Sequence, residues 1–320
     1  MEWNQGQPPK TDREWKLLEK LVLSVHDENR KQRRWMIFFR ALTFAYLFLL
    51  LFLFLPSRME MPGSASDEHV GIVDVSGVIA DGSDASADLI VSGLREAFEA
   101  KHSKAVLLRI NSPGGSPVQS GYVYREIQRL RSKYPDKKVY AVITDIGASG
   151  AYYIAAAADE IYADKASIVG SIGVIMAGFG FTEAIDKFGV ERRVMTAGEN
   201  KAVMDPFSPV QADQKRHVQT MLDEIHQQFI EAVKLGRGER LVADQDDTVF
   251  SGLFWTGEQA LDLGLIDGFG SPGQVARDVI GFEELIDYTP RKRPLEELFG
   301  QLGASIGQTL VQAAGSWSLR

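Results

Sequence analysis

The hydrophobic pattern changes character three times along the chain. Residues 1–29 are polar and charged, with Trp15, Leu17, Leu18, Leu21, Val22 and Val25 at the spacing of a short amphipathic helix. Residues 35–55 are apolar except for Arg40 and Thr43. About 20 such residues span a hydrocarbon core, and this Leu/Phe run has no 3.6-residue period that would give it a polar face. The pattern predicts a transmembrane helix over 35–55, with Arg40 snorkelling back to the headgroups. The basic cluster Arg30-Lys-Gln-Arg-Arg34 precedes it, so residues 1–34 are expected on the cytoplasmic side and the rest of the chain outside. Residues 56–69, rich in Pro, Gly, Ser and charge, read as a linker.

From residue 70 the period alternates between two and 3.6. Strands are expected at 70–75, 105–110, 139–143, 160–163, 168–176, 191–196 and 265–267. Helices are expected at 87–100, 118–131, 149–158, 181–188, 212–235, 257–263 and 272–280. This alternation predicts an α/β domain over 70–290, a mostly parallel sheet with flanking helices. The tail, 291–320, opens on Arg-Lys-Arg-Pro and carries an apolar stripe from Leu295 to Val311. That stripe suits docking on a neighbouring subunit or the membrane, and equally a frayed end.

Composition narrows the chemistry. The chain has 35 Lys and Arg against 43 Asp and Glu, with no basic tract large enough for a nucleic-acid footprint outside the membrane flank, so no nucleic-acid partner is expected. It has no cysteine, which excludes disulfides, thiolate nucleophiles and cysteine zinc sites. No cofactor and no metal are expected.

Two corners carry the candidate chemistry. In Asp145-Ile-Gly-Ala-Ser-Gly-Ala-Tyr-Tyr, a strand passes through small residues into a helix and leaves the Ser149 hydroxyl at the helix N-terminus, where unpaired N–H groups favour negative charge. Ser149 reads either as a simple N-cap or as a nucleophile whose attack creates an oxyanion. In Asn111-Ser-Pro-Gly-Gly-Ser-Pro, paired glycines after a buried strand form either a tight turn or a backbone cradle. No Gly-Lys-Ser/Thr follows, which disfavours a phosphate loop.

Ser149 needs a base. The five histidines, His26, His69, His102, His217 and His226, fall on no loop at a sheet end, and Ala151 breaks the Gly-x-Ser-x-Gly elbow. Lysine remains. Lys201 follows an expected strand in an apolar, small-residue loop, Thr196-Ala-Gly-Glu-Asn-Lys-Ala-Val-Met-Asp-Pro. If buried there, its amine would be neutral near physiological pH and could take the serine proton; otherwise it is a surface lysine. Ser171, in Val169-Gly-Ser-Ile-Gly-Val, either holds that amine or bonds to backbone.

Together, Asn111-Ser-Pro-Gly-Gly, Asp145-x-Gly-Ala-Ser-Gly-Ala-Tyr-Tyr, Val169-Gly-Ser-Ile-Gly-Val and Gly198-x-x-Lys201 resemble, in this order, the bacterial signal peptide peptidase A family. The resemblance covers about residues 70–280 and the short, single-half form of the family. It implies a Clp-protease/crotonase-like fold and a membrane-anchored serine–lysine endopeptidase of the bacterial inner membrane, with its catalytic domain on the extracytoplasmic side. By it, Ser149 is the nucleophile, Lys201 the general base and Ser171 the residue that orients the lysine. The N–H groups of Gly114 and Gly150 form the oxyanion hole. It further implies hydrophobic peptide substrates such as remnant signal peptides, and a homo-oligomer with sites near subunit contacts. Two other readings stand beside it. One is a crotonase-like acyl-thioester enzyme, which needs a carboxylate near the hole. The other is a non-catalytic membrane scaffold, which would leave Ser149 unreactive.

Overall fold

The computed structural model describes residues 12–54, 67–242 and 247–290. The chain divides into two units, Met1–Ala65 and Ser66–Arg320. In the first, a single 43-residue helix, α1 (Asp12–Phe54), merges the expected amphipathic segment with the apolar run. Its side chains from Trp35 to Phe48 are exposed within that unit. Among the described residues no helix is long and apolar enough to cross a membrane. The expected span extends to residue 55, and its last five side chains lie outside the described ones, as do residues 1–11, most of the linker and the tail 291–320.

Among the described residues of the second unit, eight strands form one sheet: β1 (His69–Ser76), β2 (Ser103–Ser112), β3 (Val139–Ala148), β4 (Glu160–Ala163), β5 (Ile168–Gly170), β6 (Phe254–Thr256), β7 (Gly268–Phe269) and β8 (Leu285–Asp287). The main path is β6-β5-β3-β2-β1-β8, with β4 bridging β3 and β7. All pairs are parallel except β5 with β6. The mixed α/β sheet with mostly parallel strands is therefore as the alternation predicts.

Strand β3 forks. Its first half, from Tyr140, pairs with β4, and its last residues, Ile146 to Ala148, pair with β5. The fork leaves the end of β3 flanked by β2 on one side and β5 on the other. Both faces of the centre are buried, in the period-two pattern of strands. Val73, Val75, Val106, Leu108 and Ile110 pack under helices α2 (Ala87–Glu99), α3 (Pro117–Lys133) and α4 (Gly150–Ala155). Val70, Ile72, Ala105, Leu107 and Val142 face Val275 and Ala276, in the π-helical turn after α8 (Pro272–Gln274). Helix α3 starts where Ser116 accepts the Gln119 N–H and Pro117 takes the first turn, and it ends on Arg131 and Lys133.

Several expectations are corrected. His69 is not linker: it opens β1, fully buried, with Nε2 2.9 Å from the Tyr288 hydroxyl. The helix expected over 149–158 stops at Ala155, because 156–158 tighten into turns that let Asp159 donate its N–H to Val139 and accept one back at 2.8 Å. The strand expected over 168–176 ends at Gly170, whose φ of +100° breaks the ladder. Residues 191–196 form no strand, since no neighbour pairs with them. The strand expected at 265–267 forms one step later, at 268–269, because Leu265 and Ile266 are buried in the turn after α7 (Gly257–Asp262). The three-residue strands β6 and β8 have no signal of their own.

Candidate active site

Ser149 stands between β3 and α4 with φ 53° and ψ −125°. A non-glycine residue held there costs on the order of 1–3 kcal/mol, which persists only where surroundings over-determine it. Here the Ser149 N–H donates to Gly170 O at 2.8 Å, and its carbonyl accepts from Tyr153 at 3.0 Å. The N-cap reading is not met: the hydroxyl makes no capping bond. Ser149 instead lines a cavity of about 420 Å³.

The facing corner follows β2. Ser112, fully buried, accepts the Gly114 N–H on its Oγ at 3.1 Å. The Gly114 N–H, expected in the oxyanion hole, is thus already engaged. The next peptide is held differently. Gly114 O accepts from Ile79 N–H at 2.9 Å, and Ile79 O accepts from Ser116 N–H at 2.7 Å. A trans peptide points its N–H away from its carbonyl, so the Gly115 N–H is directed away from Ile79. Gly115 lines the cavity together with Ser149 and Gly150. Gly150 is the first residue of α4, so its N–H has no intrahelical acceptor.

Glycine at 114 is required. Its φ is +95°, and a Cβ there would lie 2.7 Å from Ala148 O and Gly150 N and 2.8 Å from Ser149 Cβ. A Cβ on Gly150 would collide with Ser120 Oγ. The two corners therefore touch through bare backbone. Two N–H groups beside a hydroxyl form an arrangement that can hold the negative oxygen of a tetrahedral intermediate.

Ser171 follows β5, next to the carbonyl that holds Ser149. Its φ is 52°, its N–H donates to Leu253 O at 2.8 Å, and its hydroxyl bonds to no described residue. Among the described residues only Ser149, Ser171 and Met204 combine a side chain with positive φ. The first two are sequence-predicted site residues, and the third is three places from Lys201.

Lys201 is placed otherwise than expected. It is exposed, and it does not line the Ser149 cavity. Its loop is nevertheless ordered: Lys201 N–H donates to Gly198 O, Val203 N–H to Asn200 O, and Gln214 reaches Asn200 Oδ1 at 3.1 Å from α6 (Ala212–Arg237). The arm from 173 to 211 carries its own cluster, with Phe181 stacked on Phe207 and Arg192 paired with Asp205 at 2.9 Å. The Ser208 hydroxyl and the Arg192 guanidinium hold the Asp205 carboxyl below its ordinary range. Among the described residues nothing buries Lys201.

Sequence reasoning missed Gly115, whose role depends on the non-local Ile79 contact, and the proximity of His226. That histidine lies on α6, with Nε2 2.9 Å from Ile172 O, between cavity-lining Ile225 and Gln228. Its bond fastens α6 to the segment leaving Ser171.

Residues 131–279 match the family described as Peptidase family S49. The chain is 32% identical over 208 residues to slr0021 of Synechocystis, which carries a protease name; the match covers 65% of this chain and 72% of that protein. It is 34% identical over 221 residues to Protease 4 of Haemophilus influenzae, covering 68% of this chain and 35% of that one. It is 50% identical over 188 residues to a Brucella melitensis protein named Na(+)/H(+) antiporter NhaA, covering 59% of this chain but only 25% of the relative. The chain thus spans about a quarter of the length of that relative. The shared sequence extends over most of the domain that holds both corners, and on it the chain belongs to peptidase family S49.

Proposed function

We propose that this protein is a membrane-anchored serine endopeptidase whose site is completed by a second copy of the chain. Ser149 Oγ attacks the scissile carbonyl and passes its proton to the neutral Lys201 amine of the neighbouring copy. The N–H groups of Gly115 and Gly150 hold the resulting oxyanion. The C–N bond then breaks, the leaving amine takes the proton from Lys201, and an acyl-enzyme ester remains. Water, deprotonated by the same amine, releases the acid and restores the Ser149 hydroxyl. Ser171 orients the lysine.

The observation that carries this reading is Ser149 itself: strained, uncapped, and opening on a cavity beside two glycine N–H groups. The acyl-thioester alternative is disfavoured because the cavity lining includes no carboxylate. The intermolecular pairing is supported by the exposed arm. Covering its loop with a second copy would take the amine out of water, which favours the neutral form. Extended hydrophobic peptides, including signal peptides left in the membrane, fit the apolar lining. Anchoring rests on the apolar run at 35–55 and on the exposed side chains of α1, with the peptidase domain on the extracytoplasmic side.

The test is direct. Ser149→Ala and Lys201→Ala are each expected to abolish peptide cleavage while thermal unfolding is unchanged, and a serine-directed fluorophosphonate should label the unaltered chain at Ser149. Full activity in either variant would end this mechanism, and no labelling of the assembled protein would leave the scaffold reading.

A further inference from the structure

We propose that Arg125 selects peptides that present a carboxylate to the Ser149 cavity. The proposal rests on the peptidase reading and adds a substrate class to it. Most of the lining is apolar, contributed by residues such as Val118, Tyr153, Val174 and Phe229, with Gln228 as an uncharged polar group. Among the described residues Arg125 is its only charged side chain.

The placement of that charge follows from helix geometry. Side chains on a helix lean toward its N-terminus, so Arg125 lies back over the position four residues earlier. That position is Gly121, and Arg125 Nη1 comes within 3.2 Å of where a Cβ would stand. The missing side chain opens a path along α3 toward its start, where Gly115, Pro117 and Val118 meet Ser149. The guanidinium rests over the Tyr122 ring, 5.3 Å from its centroid, and its field also acts on the Tyr153 hydroxyl.

Its neighbours are satisfied and it is not. Arg95 and Arg129 both bind Glu126 at 2.7 Å, and Arg131 pairs with Asp159. Among the described residues no carboxylate lies within ion-pair distance of Arg125. A planar guanidinium with parallel N–H donors matches a carboxylate in two-point contact and is expensive to exchange for a neutral group. In a peptide the carboxylate comes from an Asp or Glu side chain or from the free C-terminus.

The experiment uses the full-length protein in detergent and an apolar fluorogenic peptide series. Each position in turn carries Glu, Gln or Lys, with the C-terminus free or amidated. The quantity read is the ratio of kcat/KM between charged and neutral partners within one variant, which cancels any general loss of activity. In the unaltered chain one Glu position, or the free terminus, should be favoured about tenfold over its neutral counterpart. Which arm responds identifies the source of the carboxylate. Arg125→Gln should bring that ratio to about one, Arg125→Lys should retain part of it, and Arg125→Glu should favour Lys at the same position. Cleavage with no preference, or a preference that survives Arg125→Gln, overturns this proposal and leaves the peptidase reading standing. No cleavage of any peptide overturns both.

Discussion

The two halves of the proposed site are built by opposite means. Around Ser149, every element is locked within one chain: β2, β3 and β5 are buried, and the two glycine corners meet with no space for a Cβ. Around Lys201, the arm from 173 to 211 puts large apolar side chains into water, with Phe179 81%, Phe188 83% and Met195 100% exposed. Helix α6 behaves in both ways along its own length. Its buried residues, Phe229, Ala232, Val233 and Arg237, all lie in its last third. Apolar surface on this scale, carried by a loop with its own internal bonds, is what the proposed contact with a second copy would cover. On the proposed reading, the difference teaches that one chain would make the nucleophile and oxyanion hole, whereas the base would need a partner.

The largest expected effect is catalytic. Ser149→Ala and Lys201→Ala should each lower kcat by at least about 10⁴-fold, the scale seen when a nucleophile or its base is removed. A normal rate in Lys201→Ala would break the comparison, because the arm would then have no chemical role.

Next comes a change in the core. Arg237 is 1% exposed and binds Asp267 at 2.7 Å, while Asp267 also accepts the Ile161 N–H. Burial, the largest single influence, would raise the Asp267 carboxyl, but the Arg237 hydrogen bonds, the Ile161 N–H and the charges of Arg237 and Arg240 together outweigh it, and the net shift is downward. Asp267→Asn leaves a buried guanidinium uncompensated and should destabilise the domain by about 3–5 kcal/mol in denaturant titration. The sign with pH follows. Because the folded carboxyl titrates below the unfolded one, its contribution is fully present above the unfolded value of about 4 and is lost as pH falls through the folded value. Asp267→Asn should remove that part of the acid dependence.

A third change sharpens the oxyanion assignment. Gly114→Ala forces a Cβ against Ala148 O and Gly150 N at a φ of +95°. Loss of one oxyanion donor typically costs 10²–10³ in kcat, and a decrease on that order is expected, with peptide KM changed far less.

The smallest effect falls on the arm. Phe188→Ser changes a side chain that touches little of its own chain, so unfolding of the isolated chain should shift by no more than about 0.5 kcal/mol, whereas Leu108→Ala in the core should cost about 2–5 kcal/mol. Light scattering on Phe188→Ser should instead report weaker assembly.

Much of the core half was legible in the sequence, because its signals are local. The alternation around β1, β2 and β3 and the small residues at 147–151 place Ser149 at a strand-to-helix corner without tertiary information. What could not be read depends on contacts distant in sequence. Gly115 and not Gly114 faces the cavity because Ile79, 35 residues earlier, holds the intervening carbonyl. Residue 69 reads as linker in sequence because the partner of His69, Tyr288, lies 219 residues away. Residues 191–196 have strand composition and no strand beside them. The apolar character of its loop leaves Lys201 readable either as buried or as a surface lysine, composition alone does not decide between them, and it is exposed in this chain.

Complementation between two inactive variants tests the account most directly. Ser149→Ala and Lys201→Ala chains are purified, mixed in equal amounts under conditions that exchange subunits, and assayed for peptide cleavage. If each site takes its serine from one copy and its lysine from another, half of the serines and half of the lysines are intact, and about a quarter of full activity should return. Mixed oligomers that form and remain inactive would contradict the claim that a second copy completes the site.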